Sequence, residues 1–336
     1  MRQNGLDIAR FLAYCGMVLV NFRIAAQVTA GQDFASLLTN SLEGRAAALF
    51  VVLAGIGLSM GTSTKREILA RAGVLFALGL LNLQVFEADI LHFYALYFLL
   101  ALPFVKVAPR HLLAAALGAV VIGLLGLLLL DYEAHWDWND LSYAEFWTLE
   151  GFLRHAFFNG WHPVFPWISF VFIGMWIGRQ DLGQKAVQTR LILWGGTSAL
   201  LASLPGQMVQ DPDLAAVLGT AALPPGPFYI LAASGSAALV LGLTLRATPT
   251  LDRLGLGEWL AAPGRIALSL YIAHILVGMG TLEALGQLDG SLTPQQILGY
   301  SLGFCALSMM LSWLWGLFAR RGPLEGLMRL TTRVFR

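Results

Sequence analysis

The feature that most constrains this chain is a series of apolar runs, each about 17–25 residues long, the length a helix needs to cross the hydrocarbon of a bilayer. Ten such runs fall near 7–27, 45–63, 68–86, 89–107, 111–130, 163–179, 190–208, 225–246, 265–284 and 294–318. Hydrophobic residues make up 57% of the chain and charged residues 12%, against about 25% charged in a soluble domain. A soluble fold of 336 residues cannot bury that much apolar side chain, so lipid must act as the solvent. The reading predicts an all-α, polytopic integral membrane protein with about ten transmembrane helices in a single domain. One long break, 131–161, is expected to be extracytoplasmic.

Charge placement tests that count. With both termini in the cytoplasm, the inner segments hold 18 of the 21 basic residues, Arg2, Lys65, Arg66, Arg71, Lys106, Arg110 and Arg336 among them. The outer segments hold only Arg23, Arg45 and Arg154, together with 14 of the 20 acidic residues, including Glu87, Asp131, Asp137, Asp140 and Asp213. This is the positive-inside bias expected of a correct topology. The first run is read as a retained span rather than a cleaved signal, because Asp7 and Arg10 interrupt it early and it continues to Ala26. Cys15 and Cys305 lie inside apolar runs and are expected to be buried thiols. Gly57-x-x-x-Gly61 and Gly174-x-x-x-Gly178 are expected to let helices approach closely. No metal-ligand spacing, phosphate-binding glycine loop or nucleic-acid signature is visible.

Polar groups inside spans are costly and mark partners or pathways. On the first span Asp7, Arg10, Tyr14 and Asn21 share a stripe of roughly 60°. Arg10 and Asn21 stand three turns apart, about 16 Å along the axis. Two readings remain open: a substrate path, or a local Asp7–Arg10 pair with Asn21 bonding a neighbouring helix. Glu43-Gly44-Arg45 opens the second span, where Arg45 either pairs with an acid such as Glu43 or clamps an anion. Asp89 and His92 are three residues apart on a helix and within reach. That is the arrangement that orients a general base, and equally a helix-start acid. His162, between Trp161 and Pro163, is expected at a rigid helix entry facing outward; His135 and His155 read as loop residues. Trp136, Trp138, Trp147, Trp161 and Trp167 form either an interfacial belt or a sugar-stacking platform. His274 is expected about 13 Å into its span, where a carbonyl-bonded imidazole is the plain alternative to a functional one.

Five segments carry a family likeness: Leu6-Asp7-x-x-Arg10 with Leu19-Val20-Asn21; Glu43-Gly44-Arg45 with Leu49-Phe50; Asp89-Ile90-Leu91-His92-Phe93-Tyr94-Ala95-Leu96; Gly264-Arg265-Ile266-Ala267-Leu268-Ser269-x-Tyr271; and Gly322-Pro323-Leu324-Glu325. On these the chain resembles the YeiB-type bacterial membrane proteins over nearly its full length. That implies a multi-pass protein of the bacterial cytoplasmic (inner) membrane. A more distant likeness reaches the transmembrane acyltransferase superfamily and its heparan-alpha-glucosaminide N-acetyltransferases, which share Leu-Asp-x-x-Arg and then Asn. In those enzymes a catalytic histidine follows in the first outer loop. Here no histidine lies between Asn21 and the second span, and Gln27 and Gln32 stand nearest in that loop.

The resemblance implies an acyltransferase that takes acyl-CoA as co-substrate at Lys65, Arg66, Arg71, Lys106 or Arg110 and passes the acyl group along the stripe. The acceptor would be an extracytoplasmic glycan, lipid or small molecule. Asn21 would bind the oxyanion, and His92, oriented by Asp89, or His162 would take the acceptor proton. Asp7, Arg10, Tyr14, Glu43, Arg45, Tyr94, Arg265 and His274 would line the binding path. Expected partners are membrane lipid, the acceptor and a second copy of the chain, with no nucleic acid and no metal. The alternative is a transporter or lipid-handling protein that uses the same polar path without acyl transfer.

Overall fold

The computed structural model describes residues 4–334, with only the backbone for Pro212 and Asp213. Arg2 and Arg336 lie outside the described residues. The chain is helical nearly throughout, and its only sheet among those residues is a two-stranded hairpin pairing Trp136 with Tyr143 and Asp137 with Ser142.

A helix stands at each of the ten apolar runs, but they are not equal. Among the described residues, six stretches are long and apolar enough to cross a membrane: Asn4–Ala25, Phe34–Met60, Pro109–Leu129, Pro227–Arg253, Ala267–Ala284 and Pro294–Phe318. Lys65–Asn82 carries Lys65, Arg66, Glu67 and Arg71 in its first two turns. Lys185–Leu201 has 17 residues. Leu91–Phe104 and Val164–Ile177 are apolar but shorter; the 14 residues of the latter span about 21 Å, less than the ~30 Å hydrocarbon. The chain is a helical membrane protein with six such candidate spans.

Contacts divide it into two compact units. The first comprises the residues up to Phe50, Leu182–Trp194 and Ala237–Arg329. Its centre is the helix Asn4–Ala25, which is buried along most of its length. Small residues let neighbours close on it. A Cβ on Gly264 would lie 1.8 Å from the carbonyl oxygen of Asp7, and one on Gly16 would lie 2.7 Å from Ala46 Cβ. Val18, Phe22, Leu270, Leu282, Ile297 and Cys305 form the apolar core around it. Cys305 is buried, Cys15 is half-buried, and both are free thiols. Two of the family-bearing segments meet here: the Glu325 carboxylate accepts from the amides of Leu268 (2.8 Å) and Ser269 (3.2 Å) and from Ser269 Oγ (2.5 Å). An anion at the N-terminus of Ala267–Ala273 satisfies amides that have no partner within the helix.

The second unit comprises Val51–Asp181, Gly195–Ser236 and the residues from Leu330. Gly174 and Gly178 act as predicted: Cβ atoms there would meet the Val52 carbonyl at 2.1 Å and Ser59 Oγ at 2.2 Å. Gly57 does not, since a Cβ on it would meet nothing within 4 Å. Its place is taken by Gly55, whose Cβ would press on the Val171 carbonyl at 2.2 Å. The two glycines are two residues apart, about 200° around the helix, so the motif pointed to the wrong face. Arg179 closes the end of Leu91–Phe104 by donating to the carbonyls of Phe104 (3.3 Å), Val105 (3.0 Å) and Val107.

Candidate functional site

In the first unit the predicted stripe is real, and each of its polar groups has a partner. Asp7, 1% exposed, takes Arg10 as its i,i+3 ion pair and has Arg265 Nε at 3.7 Å. Arg265 in turn holds Glu258 with both terminal nitrogens (2.7 and 2.9 Å) and donates to Asn4 Oδ1 at 3.0 Å. Tyr14 bonds Ser308 through its hydroxyl at 2.9 Å. Asn21 Nδ2 lies 3.0 Å from Nε2 of His274, a fully buried ring that also meets Tyr14 edge-on at 6.1 Å. His274 Nδ1 contacts the Tyr271 carbonyl, which can only accept, so Nδ1 carries the proton in the neutral ring. Nε2 is then the basic nitrogen, and the Asn21 amide donates to it. The contacts are those of the second reading: a local Asp7–Arg10 pair at one end, and Asn21 bonding a neighbouring helix through His274 at the other.

The Glu43–Arg45 pairing gives way to another. Glu43 Oε2 is bonded at 2.6 Å by Arg23, a buried guanidinium that also reaches Thr39 and Asn40. Arg45 donates to the Ser41 carbonyl at 3.4 Å. Gly44 sits at φ 68, a left-handed turn that suits glycine and swings Arg45 into a new helix while Glu43 stays at the end of Phe34–Leu42.

The second unit gathers histidines. Asp89, fully buried, accepts from Asn82 Nδ2 (2.7 Å) and from the amides of Leu91 (2.7 Å) and His92 (3.3 Å), and lies 3.2 Å from His92 Nδ1. It is therefore both the helix-start acid and the orienting partner. In the neutral ring the carboxylate, which can only accept, places the proton on Nδ1; His92 Nε2 is buried without a partner. Gly79 admits this turn, because a Cβ there would lie 2.3 Å from the His92 amide nitrogen.

His155 corrects the sequence reading. It is no loop residue: 2% exposed, it opens a π-helical stretch, His155–Asn159, and its ring stacks 5.9 Å from His92. Its Nδ1 has no partner. Burial, with His92 and His162 nearby, holds the ring well below the ordinary imidazole range. His162 is partly buried: its ring packs edge-on against Trp167 (4.7 Å) and Phe93 (5.8 Å), and burial first, then His92, lowers its pKa to about 3. Its carbonyl accepts from Tyr97 at 2.5 Å. Tyr94 stacks its ring near Tyr97 and Phe98. Trp167 is buried within the protein, and Trp136 stacks on Trp138 at 4.5 Å. A cavity of about 310 Å³ opens beside His155, with Glu87, Tyr143, Glu145, Trp147 and Trp161 in its lining.

Sequence reading missed His155, the Asn82 anchor of Asp89, and the meeting of Asn21 with His274. Only the first had a local signal: Thr148 caps the helix Leu149–Arg154 by accepting from Gly151, and that helix runs straight into His155.

Residues 2–204 match the family described as heparan-alpha-glucosaminide N-acetyltransferase, catalytic. Residues 177–334 match the family described as protein of unknown function, DUF418. No curated protein matches the chain. Both matches agree with the likeness carried by the five segments. The first covers well over half of the residues and takes in Asp7, Arg10, Asn21, Asp89 and His92, so the chain belongs to the heparan-alpha-glucosaminide N-acetyltransferase catalytic family.

Proposed function

We propose that the protein is a membrane acyltransferase that moves an acyl group from cytoplasmic acyl-CoA to an extracytoplasmic acceptor, with Asn21 and His274 as the reacting pair. The observation that carries this reading is the 3.0 Å contact between the family-motif asparagine and a histidine from the other end of the chain. The first outer loop holds no histidine, and His274 supplies an imidazole at the same asparagine.

The chemistry follows from the tautomer. Acceptor O–H or N–H attacks the thioester carbonyl while His274 Nε2 takes its proton. The Asn21 amide turns an N–H toward the oxyanion that develops on the carbonyl oxygen. As the C–S bond breaks, the imidazolium returns the proton to the departing thiolate, and acylated acceptor and CoA result. Asp7, Arg10 and Arg265 form a fixed charged platform at the other end of the stripe. Because every group on the stripe is tied, it suits a fixed site better than a solute path.

The reading includes ten spans with both termini in the cytoplasm, a bacterial inner-membrane location, and a CoA phosphate site among Lys65, Arg66, Arg71, Lys106 and Arg110. Charge asymmetry supports that orientation. The acceptor is a glycan, lipid or small molecule, and a homodimer is the expected assembly. Purified protein incubated with labelled acetyl-CoA tests the core of it. Donor binding and turnover are expected, and turnover should fall about 100-fold in Asn21→Ala. Absence of both CoA binding and hydrolysis would sink the proposal.

A further inference from the structure

The second unit contains a site that acyl transfer at Asn21 does not use. Its cavity of about 310 Å³ is walled by aromatic rings and carries two carboxylates, Glu87 and Glu145. The nearby charge is mostly negative, although the Arg154 guanidinium acts on the lining Tyr143. Asp140 adds a third carboxylate whose charge, after burial, pushes the Glu87 carboxyl above its usual range. Arg154 itself is held by neutral partners: it donates to the Asp131 carbonyl and lies 5.4 Å over the Phe158 ring. His135 Nδ1 lies 3.7 Å from Glu145.

The rings and the backbone are set for a ligand. Trp147 and Glu145 are well exposed at the mouth, and Trp161 stands among the lining residues with a buried indole N–H that has no acceptor. His155, 2% exposed, lines the cavity with an unpartnered Nδ1. Because its ring stays neutral, it accepts a hydrogen bond without adding positive charge. Glu145 itself sits at φ 61, a strained conformation for a residue with a side chain, held by Thr148, whose amide and hydroxyl both donate to its carbonyl at 2.9 Å.

We propose that this cavity binds a small organic ammonium ion, with Glu87 and Glu145 as countercharges and the Tyr143, Trp147 and Trp161 rings as cation–π faces. Aromatic faces carry negative potential and attract alkylammonium groups. Stacking alone would serve a neutral sugar, but it would leave the carboxylates uncompensated; a cation neutralises them and uses the same rings.

The test uses the full-length protein in lipid nanodiscs, with choline as probe and 3,3-dimethylbutanol as its neutral isostere. Both carry the hydroxyl, so only the charge differs. Tryptophan emission is followed during titration. Saturable binding of choline is expected, with the neutral compound at least about tenfold weaker. Glu145→Gln should weaken choline about tenfold, and Trp147→Phe should remove much of the signal while leaving the fold intact, since both side chains are exposed. Equal affinity for the two compounds would overturn the proposal in favour of an uncharged ligand, a sugar included. So would the absence of saturable binding by choline, or an affinity unchanged in both Glu87→Gln and Glu145→Gln. None of these outcomes depends on CoA turnover.

Discussion

The two units handle buried histidine in opposite ways. In the first, His274 has both ring nitrogens occupied, one by the Tyr271 carbonyl and one by Asn21. In the second, His92 has one nitrogen held by Asp89 and the other empty, while buried nitrogens of His155 and His162 have no partner. Yet His274 and His155 each open a π-helical stretch, His274–Met279 and His155–Asn159. The wide turn is shared, so it is not what distinguishes them. What differs is hydrogen-bond completion. A satisfied imidazole is preorganised by its partners and costs little to bury, whereas an unsatisfied one costs free energy and keeps capacity for a ligand or a proton.

That contrast can be broken at several points. The largest effect is expected at Asp89, which satisfies a side-chain amide, an imidazole and two backbone amides at once. Asp89→Ala should cost about 3–5 kcal/mol, seen as a sharply lowered thermal midpoint in detergent, because it strips partners from several buried groups. A midpoint within a degree of wild type would mean that the histidine cluster is not held by this acid. In the first unit the corresponding change strikes activity more than stability. Asn21→Ala should lose about 2.7 kcal/mol of transition-state stabilisation, and His274→Gln should lower turnover as well while CoA affinity holds.

Acid should separate the units next. His155 and His162 stay neutral in the fold at pH values where the unfolded chain, near pKa 6.5, has already protonated them. The unfolded state therefore binds more protons below about pH 6.5, and stability falls as pH drops. The slope is about 1.4 kcal/mol per pH unit for each ring and persists for His162 until about pH 3. Thermal midpoints between pH 7.5 and 5 check this, and His162→Gln should remove about half the slope. The smallest effect belongs to Ser308→Ala, which removes the 2.9 Å partner of Tyr14 and should cost about 1 kcal/mol in urea unfolding.

Much of this was legible beforehand where the cause was local. Asp89 and His92 are three residues apart, so helical spacing alone brings them together. The apolar runs became helices because periodicity and length are properties of a segment. The Asn21–His274 contact was not legible, since 253 residues separate its ends and only packing places them. The burial of His155 was hidden for a similar reason: its cage comes from His92, Phe93, Phe146 and Trp136, contributed by separate segments. Gly57 misled because a small-residue motif says that two helices may approach, not which face is used, and Gly55 carries the contact.

The Asn21–His274 bond also bears on how such a protein can be divided. Asn21 lies in the stretch 2–204 and His274 in the stretch 177–334, so the pair is assembled from both family matches and complete in neither. A chain cut at residue 204 would keep the motif that declares its kinship and lose the imidazole beside it. The pair joins the beginning of the chain to its last third, so the two matches share one contact. Supplying the separated pieces together, each inert alone, should restore turnover only where residue 274 remains a histidine.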